Sequence, residues 1–253
     1  MAIKLVTFDA LHTLITPRRP IYVQYSEVFA PLLGVLSPAA LQRSFKATLK
    51  RMQKEEPAYQ GQSGAQGWWS EVIKGTAIGA GADATAVEAS LDQIVPKLLD
   101  RFSSREGYKL FDDTLPVLRQ LGEMDVRTAL VSNADARMRL VLTDLNISPF
   151  LQPLLLSEEV GVEKPDAGIF QRAFRDATLK TTVALNQGVH VGDELRCDYH
   201  GARAAGMQAL LLRRPGVDGD GENKEAEEDL RNVKVVSSLW GVVEQVREQN
   251  AEY

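Results

Sequence analysis

The length, composition and charge of the chain exclude several classes of protein. With 253 residues, 44% of them hydrophobic and 25% charged, the chain can bury a sizeable core and has the composition of an ordinary soluble globular protein. Its formal net charge of -5 gives no overall attraction to nucleic acid or to an anionic membrane, so we expect neither as a partner.

The cysteine content and the N-terminus predict a cytoplasmic protein. Cys197 is the single cysteine, so no internal disulfide can form, which fits a reducing compartment. No apolar run approaches the roughly 20 residues that span a bilayer. Asp9 also interrupts the N-terminal apolar run that a signal peptide would need. We therefore expect a soluble, unprocessed chain.

Short runs of β-branched and aliphatic residues predict buried parallel strands. They lie at residues 3–8, 127–131, 154–156 and 189–191, with a last strand at 233–236. Helical periodicity follows at residues 134–145, 166–177 and 196–205. This alternation predicts a doubly wound, Rossmann-like α/β parallel sheet, in which ligands bind at the carboxyl ends of the strands.

Residues 16–107 interrupt this alternation. They contain few strand signals and several amphipathic patterns, at residues 22–33, 38–52, 68–78 and 84–102. We therefore expect an inserted α-helical cap domain at 16–107 and a core domain made of residues 1–15 and 108–253. Within the cap, the candidates for contact with a substrate are Arg18, Arg19, Tyr22 and Trp68.

The chain after the cap predicts further helices and one loop. Residues 112–122 have a helical pattern that returns the chain to the core. The acidic, glycine-containing segment 217–231 predicts an exposed loop or a short helix. Ser237 or Ser238 is placed to cap the terminal helix.

Polar side chains follow the ends of the predicted strands. Asp9 ends the first strand, and the hydroxyl of Thr13 can orient its carboxylate, which could serve as a nucleophile, a metal ligand or a helix cap. Ser132 and Asn133 end a second strand, where a hydroxyl and free N–H groups can bind an anion or cap a helix. Lys164 precedes a proline and a helix, and its ammonium can reach that anion or stay solvated.

Two further carboxylates, Asp193 and Asp198, lie on one loop after the strand at 189–191. If these two acids pack with Asp9, the three charges repel one another and raise their pKa values unless a cation offsets them. Mg²⁺, a hard cation that prefers oxygen ligands, is the economical explanation. The sequence therefore predicts a magnesium site.

The order of these groups resembles the four motifs of the haloacid dehalogenase superfamily of hydrolases. The motifs are carboxylate-x-x-x-Thr from Asp9, hydrophobic-Ser-Asn at Ser132, Lys-Pro at Lys164 and Gly-Asp-x-x-x-x-Asp ending at Asp198. The helical insertion is similar to the type-one cap of subfamily I in that superfamily. Trp68-Trp69 is similar to a subgroup of eukaryotic dehalogenase-like hydrolases, although core packing also accounts for this pair.

The resemblance implies a Mg²⁺-dependent hydrolase that acts on a small-molecule phosphate ester. It implies that Asp9 is both the nucleophile and a metal ligand. The backbone carbonyl of Leu11 and the carboxylate of Asp193 would be further metal ligands, and Asp198 would orient metal-bound water.

The same resemblance assigns the groups that bind the anion. Ser132 and the backbone of Asn133 would bind the transferring group, and Lys164 would neutralise the charge that this group shares with Asp9. The physical chemistry agrees, because a phosphate dianion cannot approach a carboxylate unless cations offset the repulsion.

One position departs from the pattern of most phosphatases in this superfamily. They have aspartate two residues after the nucleophile, where it serves as general acid and base, and this chain has Leu11. Loss of such a group costs roughly 10² to 10⁴ in rate, so we expect poor turnover of unactivated alkyl phosphates. His12 could replace it as acid or base, although strand alternation turns His12 away from the side that Asp9 faces. We expect His190 to be a core or interface histidine and His200 a surface one.

Three functions stay open at this point. The first is a phosphate-ester hydrolase with weak or specialised turnover. The second is a protein of the same fold that binds or regulates and has lost catalysis through Leu11. The third is a 2-haloacid dehalogenase, which attacks carbon with a carboxylate and needs no metal. Against the third, Asp193 would repel the carboxylate of a haloacid, and His12 replaces the glycine expected of dehalogenases.

Overall fold

The chain divides into two units. A computed structural model describes residues 1–178, 183–224 and 227–252. The first unit contains Met1–Thr16 and Leu110–Tyr253, and the second contains Pro17–Lys109. Each unit has a hydrophobic cluster of its own. That the second unit acts as a cap for the first stays a prediction.

A parallel sheet forms the centre of the first unit. The strands, in chain order, are β1 (Leu5–Phe8), β2 (Ile15–Pro17), β3 (Tyr108–Leu110), β4 (Arg127–Ser132), β5 (Leu154–Leu156), β6 (Gly188–Gly192), β7 (Gln208–Leu212) and β8 (Val235–Val236). In the described part of the chain, six of them form one sheet in the order β5-β4-β1-β6-β7-β8, with every pair parallel. The strands β2 and β3 pair separately.

Helices connect these strands and make up most of the second unit. In chain order they are α1 (Ile21–Leu33), α2 (Pro38–Glu55), α3 (Gly64–Gly79), α4 (Ala84–Arg101), α5 (Thr114–Glu123), α6 (Arg137–Asp144), α7 (Ser157–Val160), α8 (Ala167–Thr178), α9 (Gly201–Ala204) and α10 (Trp240–Ala251). A π-helical turn, Leu195–His200, leads into α9. Among the described helices, none combines the length and the apolar character needed to cross a bilayer.

The strands of the sheet are apolar because helices cover both of its faces. Every residue of β1, β5 and β6 is buried, which is typical of a parallel sheet packed on two sides. Leu5, Val131 and Leu211 belong to the same cluster as Phe170 of α8. The predicted doubly wound α/β architecture is thus confirmed.

The sequence prediction missed one strand of this sheet and one helix cap. The run at β7 was not among the predicted strands, because a short apolar run of alanine and leucine has no periodicity that separates strand from helix. The predicted cap at Ser237 or Ser238 is wrong, since α10 has Leu239 at its N-cap and no side-chain cap. Instead, the N–H of Leu239 donates to the carboxylate of Asp113 at 2.8 Å.

The second unit is built on its own aromatic and aliphatic core. Trp68 is 2% exposed, and its indole N–H donates to the carbonyl of Glu56 at 3.1 Å. Its ring centroid lies 5.0 Å from that of Trp69 in an edge-to-face arrangement. The tryptophan pair therefore packs in the core of this unit, which corrects the idea of Trp68 as a substrate contact. Arg19, another such candidate, forms an ion pair with Glu27.

A buried ion pair links three parts of the first unit. The guanidinium of Arg214 donates to both carboxylate oxygens of Asp113, at 2.9 and 3.0 Å, and to the carbonyl of Thr13 at 3.0 Å. It also lies 3.8 Å from the ring centroid of Phe111. Asp113 therefore connects the start of α5 to the end of β7 and, through Leu239, to α10.

Replacement of Asp113 by alanine should destabilise the protein far more than replacement of its exposed neighbour Asp112. The first change leaves the Arg214 guanidinium buried without its carboxylate, and such a loss costs about 3 kcal/mol or more. The second should change the free energy of unfolding by less than about 0.5 kcal/mol. Urea unfolding followed by circular dichroism measures both. Equal midpoints for the two variants would contradict the assignment.

Candidate active site

Two side chains that are distant in the sequence, those of Ser132 and Lys164, meet at the carboxylate of Asp9. Asp9 follows β1, which pairs with β4 on one side and β6 on the other. Its Oδ1 accepts a hydrogen bond from the hydroxyl of Ser132, at the end of β4, at 3.0 Å. The same oxygen accepts one from the ammonium of Lys164 at 2.6 Å. The meeting follows from strand order, because the carboxyl ends of neighbouring parallel strands lie at one edge of the sheet.

Lys164 is held in place by the side chain of Asn133. The Asn133 amide donates to the Lys164 carbonyl at 2.9 Å, and its Oδ1 accepts from the Lys164 N–H at 2.7 Å. The backbone of Lys164 is thus fixed on both sides. The Asn133 side chain therefore acts on the lysine and does not cap a helix, and α6 begins only at Arg137.

Asp198 accepts hydrogen bonds from three donors. Its Oδ1 accepts from Lys164 at 2.6 Å and from His190 at 3.1 Å, and its Oδ2 accepts from the N–H of Glu194 at 2.8 Å. It approaches this closely because residue 192 is glycine. A Cβ on Gly192 would lie 2.1 Å from the Asp198 carboxylate carbon, so any side chain there would displace Asp198.

Asp193 has one satisfied carboxylate oxygen and one free one. Its Oδ2 accepts from the backbone N–H of Asn223 at 2.8 Å. Its Oδ1 is buried and has no hydrogen-bond partner in the described part of the chain. A buried acceptor without a partner costs stability, so this oxygen points to a missing partner.

The electrostatics of the cluster follow from burial and from one lysine shared between two acids. Burial raises the pKa of Asp193 well above its ordinary value, and the charges of Asp198 and Asp9 raise it further. Burial also raises the pKa of Asp9, even though Lys164 opposes that shift. For Asp198, burial acts upward, but Lys164 and then His190 hold its pKa below the ordinary value. Burial alone would lower the pKa of Lys164, and Asp198 and Asp9 raise it instead.

The cluster fits a hard divalent cation. Asp9, Asp193 and Asp198 each offer a carboxylate oxygen, and these oxygens lie within 4.8 Å of one another. The donors are all oxygens, which is the ligand type that Mg²⁺ and Ca²⁺ prefer. Lys164 is the ammonium bonded to two of the three acids. A bound cation would give the free oxygen of Asp193 a partner and reduce the repulsion among the three carboxylates.

The turn after Asp9 holds the remaining predicted residues. Leu11 is half-buried and forms a bridge with Ile15. The hydroxyl of Thr13 is buried and has no hydrogen-bond partner among the described residues, so the structure does not join it to Asp9. The roles predicted for the Leu11 carbonyl and for Thr13 stay predictions.

His12 is buried in this turn in a left-handed conformation, with φ at 61°. Its Nδ1 has no partner in the described part of the chain. Burial lowers the pKa of His12 to about 4, so the ring is neutral near pH 7. A neutral imidazole is a weak proton donor, which favours His12 as a base over an acid, and the predicted acid or base role stays untested.

The segment predicted to be an exposed loop contributes to the site. Glu222 is buried, and Asn223 donates its N–H to Asp193 and its side-chain amide to Glu194, the latter at 3.0 Å. A Cβ on Gly221 would lie 2.5 Å from the ring of His12, so glycine lets the segment lie against that ring. The sequence predicted an exposed loop or a short helix at 217–231, and most of the described residues there are exposed, with a 3-10 helix at Gly216–Gly219. The acidic composition did not reveal the burial of Glu222 or the contacts of Asn223.

His190 also belongs to the surroundings of the site. It was expected to be a core or interface histidine, and it is fully buried. Its ring contacts Asp198, however, and Asp198 Oδ1 in turn accepts from Lys164, so two hydrogen bonds separate His190 from Lys164. A titratable residue inside an otherwise apolar strand next to the Gly-Asp motif was the available signal for this contact.

Comparison with known proteins identifies the family. A profile of haloacid dehalogenase-like hydrolases matches residues 3–206. Human haloacid dehalogenase-like hydrolase domain-containing protein 3 is 32% identical over 218 residues, which are 85% of this chain and 84% of the relative.

Solved structures share the fold but differ in their chemistry. A 2-haloacid dehalogenase from Pseudomonas syringae pv. Tomato DC3000 aligns with a TM-score of 0.64 and 24% identity, covering 97% of this chain and 99% of the other. A phosphatase of the same fold from Thermococcus onnurineus aligns with a TM-score of 0.61 and 20% identity, covering 96% and 98%. At these identities the likeness shows the fold alone. The profile match over residues 3–206 and the 32% identity to the human relative establish the family: the chain belongs to the haloacid dehalogenase-like hydrolases.

Proposed function

We propose that this protein hydrolyses a small phosphate ester, with Asp9 as the nucleophile and with specialised turnover. The observation that carries the proposal is the shared contact of Ser132 and Lys164 with one oxygen of Asp9. Their two hydrogen bonds hold this oxygen of the Asp9 carboxylate in place. The buried ammonium also supplies positive charge where a phosphate dianion would otherwise meet a bare carboxylate.

The reaction has two displacement steps at phosphorus. An oxygen of Asp9 forms a bond to phosphorus while the bond to the ester oxygen breaks, and that oxygen leaves with the electron pair. Water then forms a bond to phosphorus while the bond from phosphorus to the Asp9 oxygen breaks, which restores the Asp9 carboxylate and releases inorganic phosphate. The proton that this water loses goes to solvent, and the departed ester oxygen takes a proton from solvent. Lys164 and Ser132 hold Asp9 during both steps, and the anion-binding role of the Asn133 backbone belongs to the same proposal.

Asp9, Asp193 and Asp198 are the side chains that would hold a divalent cation, Mg²⁺ in this proposal, with the Leu11 carbonyl beside them. When bound, the ion supplies charge neutralisation for the phosphoryl oxygens. The free oxygen of Asp193 supports its assignment as a direct ligand. Asp198 already accepts from three donors, which supports a role in orienting water over direct ligation.

The identity of residue 11 limits the substrate. Leucine cannot protonate the leaving oxygen, and His12 is neutral near pH 7 because burial lowers its pKa. Esters whose leaving groups are stable as anions need the least help from an acid, so we expect aryl phosphates and acyl phosphates to be hydrolysed faster than alkyl phosphates.

Loss of catalysis through Leu11 also supports a second candidate, a binding or regulatory protein of this fold. The cation and anion sites would then hold a ligand without turnover. A 2-haloacid dehalogenase ranks third, because the free oxygen of Asp193 would repel the carboxylate of a haloacid in the absence of a cation.

The conservative replacement Asp9→Asn should abolish hydrolysis of p-nitrophenyl phosphate in Mg²⁺. Removal of the nucleophile should lower kcat by at least about a thousandfold, whereas Asp112→Asn, an exposed change in the same unit, should leave kcat unchanged. EDTA should stop the wild-type reaction. Activity that survives both Asp9→Asn and EDTA would refute the proposal.

Two further outcomes of this experiment would select the other candidates. Tight binding of phosphate or a phosphate ester by calorimetry, with no release of product, would identify a binding protein. Release of chloride from chloroacetate in EDTA would identify a dehalogenase.

The variant Asp193→Asn should be more stable than the wild type in EDTA at pH 8 and should lose stabilisation by Mg²⁺. An amide at this position can keep the bond from Asn223, and it replaces the unsatisfied oxygen by an NH₂ donor within reach of the carboxylates of Asp9 and Asp198, whose oxygens lie within 4.8 Å. The loss of an unsatisfied acceptor in favour of a satisfied donor is worth about 1–3 kcal/mol. Because the pKa of Asp193 is raised, the wild type is most stable below the ordinary aspartate range and loses stability as the pH rises through the raised pKa. Thermal melts at pH 5 and pH 8, with and without Mg²⁺, test this, and a lower Tm for Asp193→Asn in EDTA at pH 8 would count against it.

A further inference from the structure

His190 is held on three sides within the core of the first unit. It is fully buried in β6, where it lies opposite Thr7 of β1 in the parallel register. Its Nδ1 lies 2.8 Å from the Thr7 hydroxyl, and its Nε2 lies 3.1 Å from Asp198 Oδ1. The ring packs edge-to-face on Phe170, with centroids 4.9 Å apart and an interplanar angle of 77°. These contacts leave the ring a single orientation.

The hydrogen-bond partners also decide which ring nitrogen carries the proton. Asp198 accepts from the Lys164 ammonium and from the N–H of Glu194, as an ionised carboxylate does. An ionised carboxylate has no proton to give, so Nε2 of His190, which lies 3.1 Å from its Oδ1, must donate. In the neutral ring, Nδ1 must then accept, and the Thr7 hydroxyl is its donor. The other acceptor near that hydroxyl, the carbonyl of Val189, is 3.5 Å away, which makes it the weaker partner.

These bonds form a chain that starts on β1 and ends at the residue that directly follows this strand. It runs from Thr7 to His190, to Asp198, to Lys164 and back to Asp9, two residues after its start. Each member is buried, so water does not compete for any of these bonds. If the ring of His190 is lost, Asp198 loses one of the two donors on Oδ1 and can turn, and the Lys164 ammonium follows the carboxylate to which it is bonded.

We propose that His190 is a positioning residue for phosphoryl transfer, which holds the Asp198 carboxylate and, through it, the ammonium of Lys164 beside Asp9. The proposal rests on the proposed function, because the position of Lys164 matters for turnover only if a negatively charged group is transferred to Asp9. Residues that orient the groups around a metal or a reacting centre typically contribute about 10- to 100-fold to activity.

Three replacements separate positioning from packing. Glutamine places its amide nitrogen as many bonds from Cα as Nε2 of histidine, so His190→Gln can still donate to Asp198. Asparagine is one bond shorter and keeps only the end near Thr7, and leucine keeps neither bond. With p-nitrophenyl phosphate and Mg²⁺, His190→Leu and His190→Asn should lower kcat about 10- to 100-fold with little change in KM, and His190→Gln should recover most of the loss.

The control variant replaces a histidine that lies outside this chain of hydrogen bonds. His200 is exposed, so His200→Leu should have wild-type kinetics. Thermal melts of all variants show whether each is folded. Folded His190→Leu with wild-type kcat would overturn the proposal, and so would equal losses in the glutamine and leucine variants.

A second measurement does not depend on turnover. Nitrogen-15 NMR of the histidine rings should show His190, assigned by its absence in His190→Gln, as the neutral form with the proton on Nε2 and slow exchange of that proton with water. Asp198→Asn should change this signal, whereas Asp112→Asn should not. A neutral ring with its proton on Nδ1, or rapid exchange of the Nε2 proton, would overturn the proposal. If the wild type hydrolyses no phosphate ester, the proposed function fails, and the NMR result still decides whether His190 holds Asp198.

Discussion

The site depends on one buried ammonium shared by two carboxylates. Lys164 is 3% exposed, and a charged group that far from water is stable only when it is paired and hydrogen-bonded. Asp9 and Asp198 supply the pairing, and the Asn133 side chain fixes the lysine backbone. The arrangement requires β4, β1 and β6 to lie side by side, because each of these strands delivers one part of it.

The three carboxylates of the site outnumber the ammonium of Lys164 that lies among them. One lysine is bonded to two acids, and among the described residues one oxygen of Asp193 has no hydrogen-bond partner, so the cluster fits a cation before any substrate is considered. The turn after Asp9, by contrast, lacks an acidic side chain that could donate a proton. It provides Leu11 where an acid would be useful and His12 as a neutral ring, so the site is well equipped to stabilise negative charge and poorly equipped to donate a proton.

The chain beyond the family match also shapes the site. The match ends at residue 206, yet Asn223 donates to Asp193, and Arg214 donates to the carbonyl of Thr13 in the turn after Asp9. Gly221 lets this segment approach His12. Through these contacts, residues after the family match help to position the carboxylate of Asp193 and the turn that follows Asp9.

The sequence by itself determined five of the six strands in the described sheet and the polar residues at the carboxyl ends of β1, β4 and β6. Apolar runs ending in Asp9, Ser132 and Asp193 are local signals, since burial on both faces of a parallel sheet demands them. Only the tertiary structure decided how the polar groups pair. The bond of His190 to Asp198 and that of Asn223 to Asp193 depend on strand order and on the path of a loop. Neither leaves a periodic trace along the chain, because a hydrogen bond across 8 or 30 residues is set by packing.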